Sequence, residues 1–409
     1  MRFLILTQYF PPEIGASQVR LSALARELQR LGHEVEVVTA LPNHPTGRIF
    51  PDYRGHFYVR EGWEGVLVHR VWLYPSTGAG IKRILNYLSF AVSSLVGLYR
   101  AKRPDILFIE SPPLFLGITG LLVARFWRIP AVLNVADLWP DAARDLGVLR
   151  NDQIYALAEA LEAWCYRNAT FVNAVTEGIL SSLIQKKGVR VDKVLFLPNG
   201  VDTSLFRPRE PDWELADQLG LANRKMLLYP GTIGFAHGLE VAIEAMDLLR
   251  GRAPDVTLVI VGDGSERARL KSMVHQRGLE NVLFLPPQNP TYVAQLLSIA
   301  LAGVVTVRDI PVNAGARPSK MFPIMASGKP VIYSGKGEGA RMVEQAKSGI
   351  VVSPEDPQAL ANAIVYLLEH PDVASELGAN GRRFVEENFS WDKLVGRWLS
   401  DLENRLGGV

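Results

Sequence analysis

The chain has a single cysteine, Cys165, in 409 residues. One cysteine excludes an internal disulfide and fits a reducing compartment. Cys165 sits inside a helical pattern and reads as a small buried core residue. Charge of one sign is also missing in excess: 44 Lys and Arg stand against 42 Asp and Glu, for a net charge of +2. A dedicated nucleic-acid binder carries a strong basic surplus, so that class drops out. No run reaches the roughly 20 apolar residues that a membrane-spanning helix needs. The chain opens on Met1-Arg2-Phe3-Leu4-Ile5-Leu6-Thr7, which reads directly as a strand with no signal peptide ahead of it. The nucleotide and hydrolase signatures G-x-x-x-x-G-K-[ST], G-x-S-x-G and H-E-x-x-H are absent. Seven histidines, His33, His44, His56, His69, His237, His275 and His370, are scattered without metal-ligand spacing.

What is present is alternation. Phe3 to Leu6 is a continuous apolar run, as in a strand buried on both faces. A loop, Gln8 to Ser17, carries Pro11, Pro12 and Gly15; Leu21, Leu24, Ala25, Leu28 and Leu31 follow at helical spacing, and Gly32 ends the helix. Glu34 to Thr39 is the next strand, which completes a βαβ unit of a parallel sheet. Further strands are predicted at 106–109, 131–135, 171–174 and 194–196. A proline- and charge-rich stretch over 198–212 reads as a linker. A second series is predicted at 226–229, 256–261, 282–285, 300–305 and 330–333. The expected fold class is therefore α/β, with two Rossmann-like, doubly wound parallel-sheet domains facing a cleft. The first spans 1–200 and the second 213–387. Ligands in such sheets bind outside the carboxyl ends of strands, so the loops after strands are where chemistry is sought.

Four loops stand out. Phe10 to Ser17 ends at a helix N-terminus, whose free N–H groups and dipole suit phosphate; the plainer reading makes Ser17 an N-cap. Tyr229 to Glu240 and Arg317-Pro318-Ser319-Lys320 combine polar and basic groups at one sheet edge, and Arg317, Ser319 and Lys320 suit a diphosphate. Gly335-Lys336-Gly337-Glu338-Gly339-Ala340 matches G-x-G-x-x-A but lies too late for a dinucleotide fingerprint, and fits a turn beside a phosphate or sugar. Asp137 reads either as a hydroxyl-orienting carboxylate or as a helix N-cap. No D-x-D occurs, so the usual carboxylate handle for a metal-bound nucleotide sugar is missing. The segment Ile84 to Tyr99 is mostly apolar and is flanked by Lys82, Arg83, Arg100, Lys102 and Arg103. It reads either as a helix lying on an anionic membrane or as a buried helix with solvated ends.

In order along the chain, these segments resemble family 4 of the retaining glycosyltransferases, in its bacterial surface-polysaccharide branch. The resemblance rests on Phe10-Pro11-Pro12-Glu13-Ile14-Gly15, Pro42-Asn43-His44-Pro45-Thr46-Gly47, Asp137-Leu138-Trp139-Pro140 and Asn199-Gly200-Val201-Asp202 in the first half. In the second half it rests on Gly231-Thr232-Ile233-Gly234, Gly238-Leu239-Glu240, Gly262-Asp263-Gly264, Pro318-Ser319-Lys320 and Met325 to Val331.

The resemblance implies the GT-B architecture, with acceptor in the first domain, donor in the second and a closing helix, about residues 388–409, returning to the first. It implies transfer from a nucleotide sugar, by default uridine-linked, to a glycan or lipid-linked acceptor, with no metal or other cofactor. Gly15, Gly231, Thr232, His237, Arg317, Ser319 and Lys320 would hold the diphosphate, with His237 protonated. Gly262, Asp263 and Gly264 would lie at the nucleobase and ribose, and Asp137 and His44 at the reacting hydroxyls. The expected location is the cytoplasm, peripheral on the inner face of the membrane. Five positions depart from the family pattern: Gly315 and Pro323 stand where its E-x7-E glutamates stand, Phe235 and His237 where many members carry basic residues beside the diphosphate, and Ala136 where many carry histidine. A nucleotide-sugar 2-epimerase and a non-catalytic binding partner stay open as alternatives.

Overall fold

The computed structural model describes residues 1–13, 15–76, 80–145, 147 and 149–407. The chain divides into two compact units, Met1–Asn199 with Leu394–Val409, and Gly200–Lys393.

The first unit is built on strands β1 (Arg2–Leu6), β2 (Glu34–Ala40), β3 (Tyr58–Trp63), β4 (Val66–Val71), β5 (Ile106–Ser111), β6 (Ala131–Val135), β7 (Phe171–Ala174) and β8 (Val194–Phe196). Their order is β3-β4-β2-β1-β5-β6-β7-β8, and β3 alone runs antiparallel to its neighbour. The helices are α1 (Ala16–Arg30), α2 (Ile81–Arg100), α3 (Leu114–Trp127), α4 (Asp141–Asp145), α5 (Asp152–Asn168) and α6 (Glu177–Gln185). Phe3, Leu4, Ile5 and Leu6 are all fully buried, as an apolar run in a sheet covered on both faces requires. Cys165 lies on α5 in this core, and burial pushes its thiol up to about 12.

Two expectations change. Ser17 does not cap α1: Gly15 holds the cap position, and Ser17 Oγ donates instead to Glu110 Oε1 at 3.0 Å. Helix α2 is buried on one face only, through Asn86, Phe90, Ala91, Ser93, Ser94, Gly97 and Leu98, while its other face is apolar and exposed. No helix among the described residues is long and apolar enough to cross a membrane.

The second unit carries α7 (Trp213–Gln218), β9 (Lys225–Pro230), α8 (Glu240–Leu248), β10 (Val256–Val261), α9 (Arg267–Gln276), β11 (Val282–Leu285), α10 (Pro290–Ile299), β12 (Ala300–Thr306), α11 (Met321–Ala326), β13 (Val331–Ser334), α12 (Glu338–Gln345), β14 (Gly349–Val352), α13 (Pro357–Glu369) and α14 (Pro371–Asn388). Its sheet is parallel throughout, in the order β11-β10-β9-β12-β13-β14. The last helix, α15 (Trp391–Leu406), begins in this unit, and from Leu394 onward it belongs to the first. There Trp398 is buried against Phe3 and Phe108 and donates its indole N–H to Asn173 Oδ1 at 3.1 Å.

Candidate active site

In the second unit the loops after β9, β10, β12 and β13 leave the carboxyl edge of the sheet, where open α/β sheets bind ligands. The first two are zipped together by backbone. Gly231 N–H donates to Val261 O at 2.8 Å, Ile233 N–H to Asp263 O at 2.9 Å, and Glu266 N–H back to Ile233 O at 3.1 Å. A Cβ at Gly262 would stand 1.9 Å from Gly231 O, and one at Gly264 would stand 2.2 Å from Ile233 O. Glycine is needed at both positions for this close approach of two loops.

Lys320 reaches the same spot from the loop before α11. Its ammonium donates to the hydroxyl of Tyr229, lies 3.8 Å from the centre of that ring, and approaches Thr232 O at 3.4 Å. None of these partners is an anion. Lys320 is buried, and loss of hydration holds its amine well below the usual lysine range. Gly231 and Thr232 are exposed beside it. Burial, and then the neighbouring Lys320, push His237 down to about 3, so it is neutral and not the protonated partner expected from the sequence. Lys320, Tyr229, Gly231, Thr232 and His237 thus form one group, zipped to Gly262, Asp263 and Gly264. Ser319 is half-buried next to it.

Arg317 is a correction. Its side chain is buried and forms an ion pair with Glu338, the first residue of α12, while its guanidinium lies 5.3 Å from the centre of the Phe389 ring. A cation held in this way anchors the loop to α12 instead of presenting its charge to a ligand. Glu338 also donates its backbone N–H to Ala314 O at 3.0 Å, so the Gly335–Glu338 turn closes over the 314–317 segment. Pro323 lies within α11 and Gly315 is half-buried, without carboxylates at either position.

In the first unit the site loops follow β1, β2, β5 and β6. Glu13 is buried, and its Oε1 accepts from the backbone N–H of Asn43 at 2.9 Å and of His44 at 2.8 Å. It therefore ties the Pro11-Pro12-Glu13 loop to the Asn43-His44 loop. Burial pushes its carboxyl up to about 7, against the lowering effect of those two N–H groups and of Arg70. The other oxygen, Oε2, is buried without a hydrogen-bond partner. Gly15 caps α1; Ile14, part of the same motif, lies outside the described residues. His44 is half-buried with its ring 5.5 Å from that of Tyr9.

Asp137 follows β6 and is not a helix cap, because the next helix starts at Asp141. Leu138 and Trp139 pack on the core, which leaves Asp137 presented to solvent. Its exposed edge sits among crowded loop atoms, and the resulting loss of hydration raises its carboxyl to about 6, an effect opposed by Arg20 and supported by Glu110. Beneath these loops runs a buried polar chain invisible to motif reading. Arg20 pairs with Glu110, Asn134 donates to Glu110 Oε2 at 2.6 Å, and Asn173 donates to Asn134 at 2.6 Å. Arg20 also donates to Asn199 Oδ1 at 2.8 Å. The available signal was a glutamate at the end of a buried strand, which always requires a partner. Among the described residues, no group of three or more His, Cys, Asp or Glu is placed to hold a metal ion.

Two Rossmann-like units with ligand loops at their carboxyl edges are the GT-B architecture, and the family matches assign this chain within it to the glycosyltransferases. Residues 15–200 match the glycosyl transferase 4-like domain, and residues 212–384 match the glycosyl transferases group 1. The chain belongs to the family 4 glycosyltransferases. It is 30% identical to the putative colanic acid biosynthesis glycosyl transferase WcaI of Escherichia coli (strain K12), over 98% of this chain and 100% of that one. In fold it resembles sucrose-phosphate synthase from Thermosynechococcus elongatus (TM-score 0.77, 20% identity, 100% and 99% of the two chains). It also resembles Anabaena Alr3699/HepE in complex with UDP and glucose (TM-score 0.73, 20% identity, 98% and 99% covered). These matches do not favour the 2-epimerase alternative.

Proposed function

We propose that the protein transfers a sugar, with retention at the anomeric carbon and without a metal ion, from a nucleoside-diphosphate donor to a glycan or lipid-linked acceptor of a bacterial surface polysaccharide. The observation that carries this reading is Lys320. A buried ammonium with only a hydroxyl, a ring face and a carbonyl around it is costly unless an anion completes the site. The exposed Gly231 and Thr232 beside it leave room for one. A diphosphate leaving group gains negative charge as the glycosidic bond to it breaks, and Lys320 stabilises that charge most when it is greatest. By family resemblance Gly15, at the start of α1, is assigned to diphosphate binding, and Gly262, Asp263 and Gly264 to the nucleoside.

The acceptor hydroxyl attacks the face from which the diphosphate departs, and a departing phosphate oxygen takes its proton. Asp137, whose carboxylate makes no hydrogen bond among the described residues while its carbonyl accepts from Trp139 N–H, is assigned to orienting hydroxyl groups, and His44 to the acceptor. Uridine is the preferred base, supported by the UDP complex of HepE; surface polysaccharide is supported by the name of WcaI. Such donors are made in the cytoplasm, so the reaction is placed there, at the inner face of the membrane. Thermal-shift measurements with UDP, GDP and ADP test the donor side, because a ligand bound only by the folded protein raises its stability. UDP alone should raise the transition temperature, and no response to any nucleotide would reject the donor assignment. Nuclear magnetic resonance of the product's anomeric configuration tests retention.

A further inference from the structure

Helix α2 presents an apolar stripe outward. Ile81, Leu85, Leu88, Val92, Leu95 and Tyr99 recur at three- and four-residue spacing and are all exposed, Val92 by 68% and Tyr99 by 85%. A helix on a soluble domain turns such a stripe inward, so an outward one marks a surface with an apolar partner. Beside it, between α2 and the β3–β4 hairpin, runs a groove of about 510 Å3 lined by Phe57, Trp72, Tyr74, Leu85, Leu88 and Val92. Phe57 and Trp72 stack nearly parallel, 6.0 Å apart, and make one wall flat and aromatic.

The Tyr74 end of the groove leads to the acceptor loops. Tyr74 O accepts from Asn86 Nδ2 at 2.7 Å, and Asn86 Oδ1 accepts from Gln8 Nε2 at 2.7 Å. One turn before, Arg83 donates to the hydroxyls of Tyr87 and Tyr9, each at 2.8 Å, and to Ser76 O at 3.4 Å. All of these partners are neutral. Tyr9 in turn meets the ring of His44. An apolar groove, a half-buried cation without a carboxylate, and His44 therefore follow one another along the first unit. Helices α2 and α3 carry Lys82, Arg83, Arg100 and Arg125 and no acidic residue. That charge suits a phosphate and disfavours a second copy of the same face, which would set like charges together.

We propose that this track binds the lipid phosphate that carries the acceptor. The hydrocarbon chain lies in the groove, the phosphate meets Arg83 and Lys82, and the sugar-bearing end points to Tyr9 and His44. This rests on the acceptor assignment above, but it is tested without any donor. The probes are farnesyl phosphate, farnesol and inorganic phosphate, with the full chain, read by calorimetry and by the difference in tryptophan fluorescence between the wild type and Trp72→Phe. Farnesyl phosphate should bind saturably and perturb Trp72, farnesol should bind about tenfold more weakly, the scale of one charge-assisted contact, and inorganic phosphate should not bind. Val92→Glu, at a site exposed enough to leave folding intact, should weaken farnesyl phosphate binding at least about tenfold, the penalty for placing a charge against hydrocarbon. It should leave UDP affinity unchanged, so failure here and failure of the donor reading appear in different measurements. Arg83→Gln should erase most of the preference for the phosphate over farnesol.

Absent farnesyl phosphate binding, equal binding of farnesol, or an unaffected Val92→Glu would overturn the proposal. So would a concentration-dependent dimer abolished by Val92→Glu, which would assign the face to a second copy. Binding to phosphatidylglycerol vesicles that farnesyl phosphate cannot compete away would assign the face to bulk membrane and equally reject the proposal.

Discussion

Lys320 rests its ammonium on the hydroxyl and ring face of Tyr229, and this contact defines the state of the proposed donor site. The Tyr229 O–H donates to Thr232 O at 2.8 Å, so its oxygen is left to accept from Lys320. The lysine is thus positioned but not neutralised. Lys320→Ala should weaken UDP binding by about 1.5–3 kcal/mol, the scale of a hydrogen bond to a charged group. Tyr229→Phe keeps the ring but removes the acceptor, and should cost less. Calorimetric titration checks both; unchanged affinity in Lys320→Ala would remove this residue from the site.

The same geometry couples donor binding to protons. Burial lowers the affinity of Lys320 and His237 for a proton, and Lys320 lowers that of His237 further. A bound diphosphate favours the charged forms and raises both. Binding should therefore take up protons, and affinity should fall as pH rises through the alkaline range. Titrating UDP at pH 8 in two buffers of different ionisation enthalpy measures the uptake directly. Zero uptake would show that Lys320 already carries its proton before UDP arrives, and net release would show that neither group meets the phosphates.

Much of this was legible in the sequence. Apolar runs such as Phe3–Leu6 and Val256–Val261 marked the buried parallel strands because a strand covered on both faces has no polar side to alternate. The β3–β4 hairpin was not legible. Its two-residue turn, Glu64-Gly65, has positive φ at both positions, 46° and 85°. This geometry is usually advertised by Asn-Gly, and glutamate hides it. At the candidate site, motif order singled out Lys320, Gly231 and Thr232, which the fold does bring together. It placed Tyr229 and Glu13 within candidate loops but gave neither a role, because those roles depend on contacts across 91 and about 30 residues of sequence. It misjudged Arg317 and His237 because a charge read in sequence carries no information on which buried partner claims it.

The Arg317–Glu338 pair yields a test of that correction. Removing one member of a buried ion pair strands the other charge, at about 3–5 kcal/mol, whereas replacing both with apolar groups is often close to neutral. Arg317→Met should destabilise the protein markedly, and Arg317→Met with Glu338→Leu should recover most of the loss. Denaturant titration compares them. If the double variant is no more stable than the single one and has lost UDP binding as fully as Lys320→Ala, Arg317 acts on the ligand after all.

Metal dependence follows from the donor set. With Lys320 carrying the diphosphate charge and no D-x-D in the chain, transfer should continue in excess EDTA. Activity abolished by the chelator and restored by magnesium or manganese would reverse the assignment.

Glu13 gives a stability prediction with a defined sign. Its carboxyl is held at about 7, above its ordinary range, so the folded protein binds the proton more tightly than the unfolded chain does. Stability from this group is then fully present below the unfolded value, near pH 4.5, and is lost as pH rises to about 7, beyond which the loss is complete. A shift of this size corresponds to about 3 kcal/mol, at about 1.4 kcal/mol per pH unit. Glu13→Gln retains an oxygen for the N–H groups of Asn43 and His44 but cannot ionise. Its amide nitrogen would occupy the place of Oε2, which has no partner, and that costs about 1 kcal/mol or more. The variant should therefore be no more stable than the wild type at pH 4.5, and more stable by about 1–2 kcal/mol at pH 8. Denaturation at the two pH values measures the difference. A variant equally destabilised at both would show that Glu13 serves as an ionised anchor for the His44 loop, and that its second oxygen is satisfied when the acceptor or solvent is present.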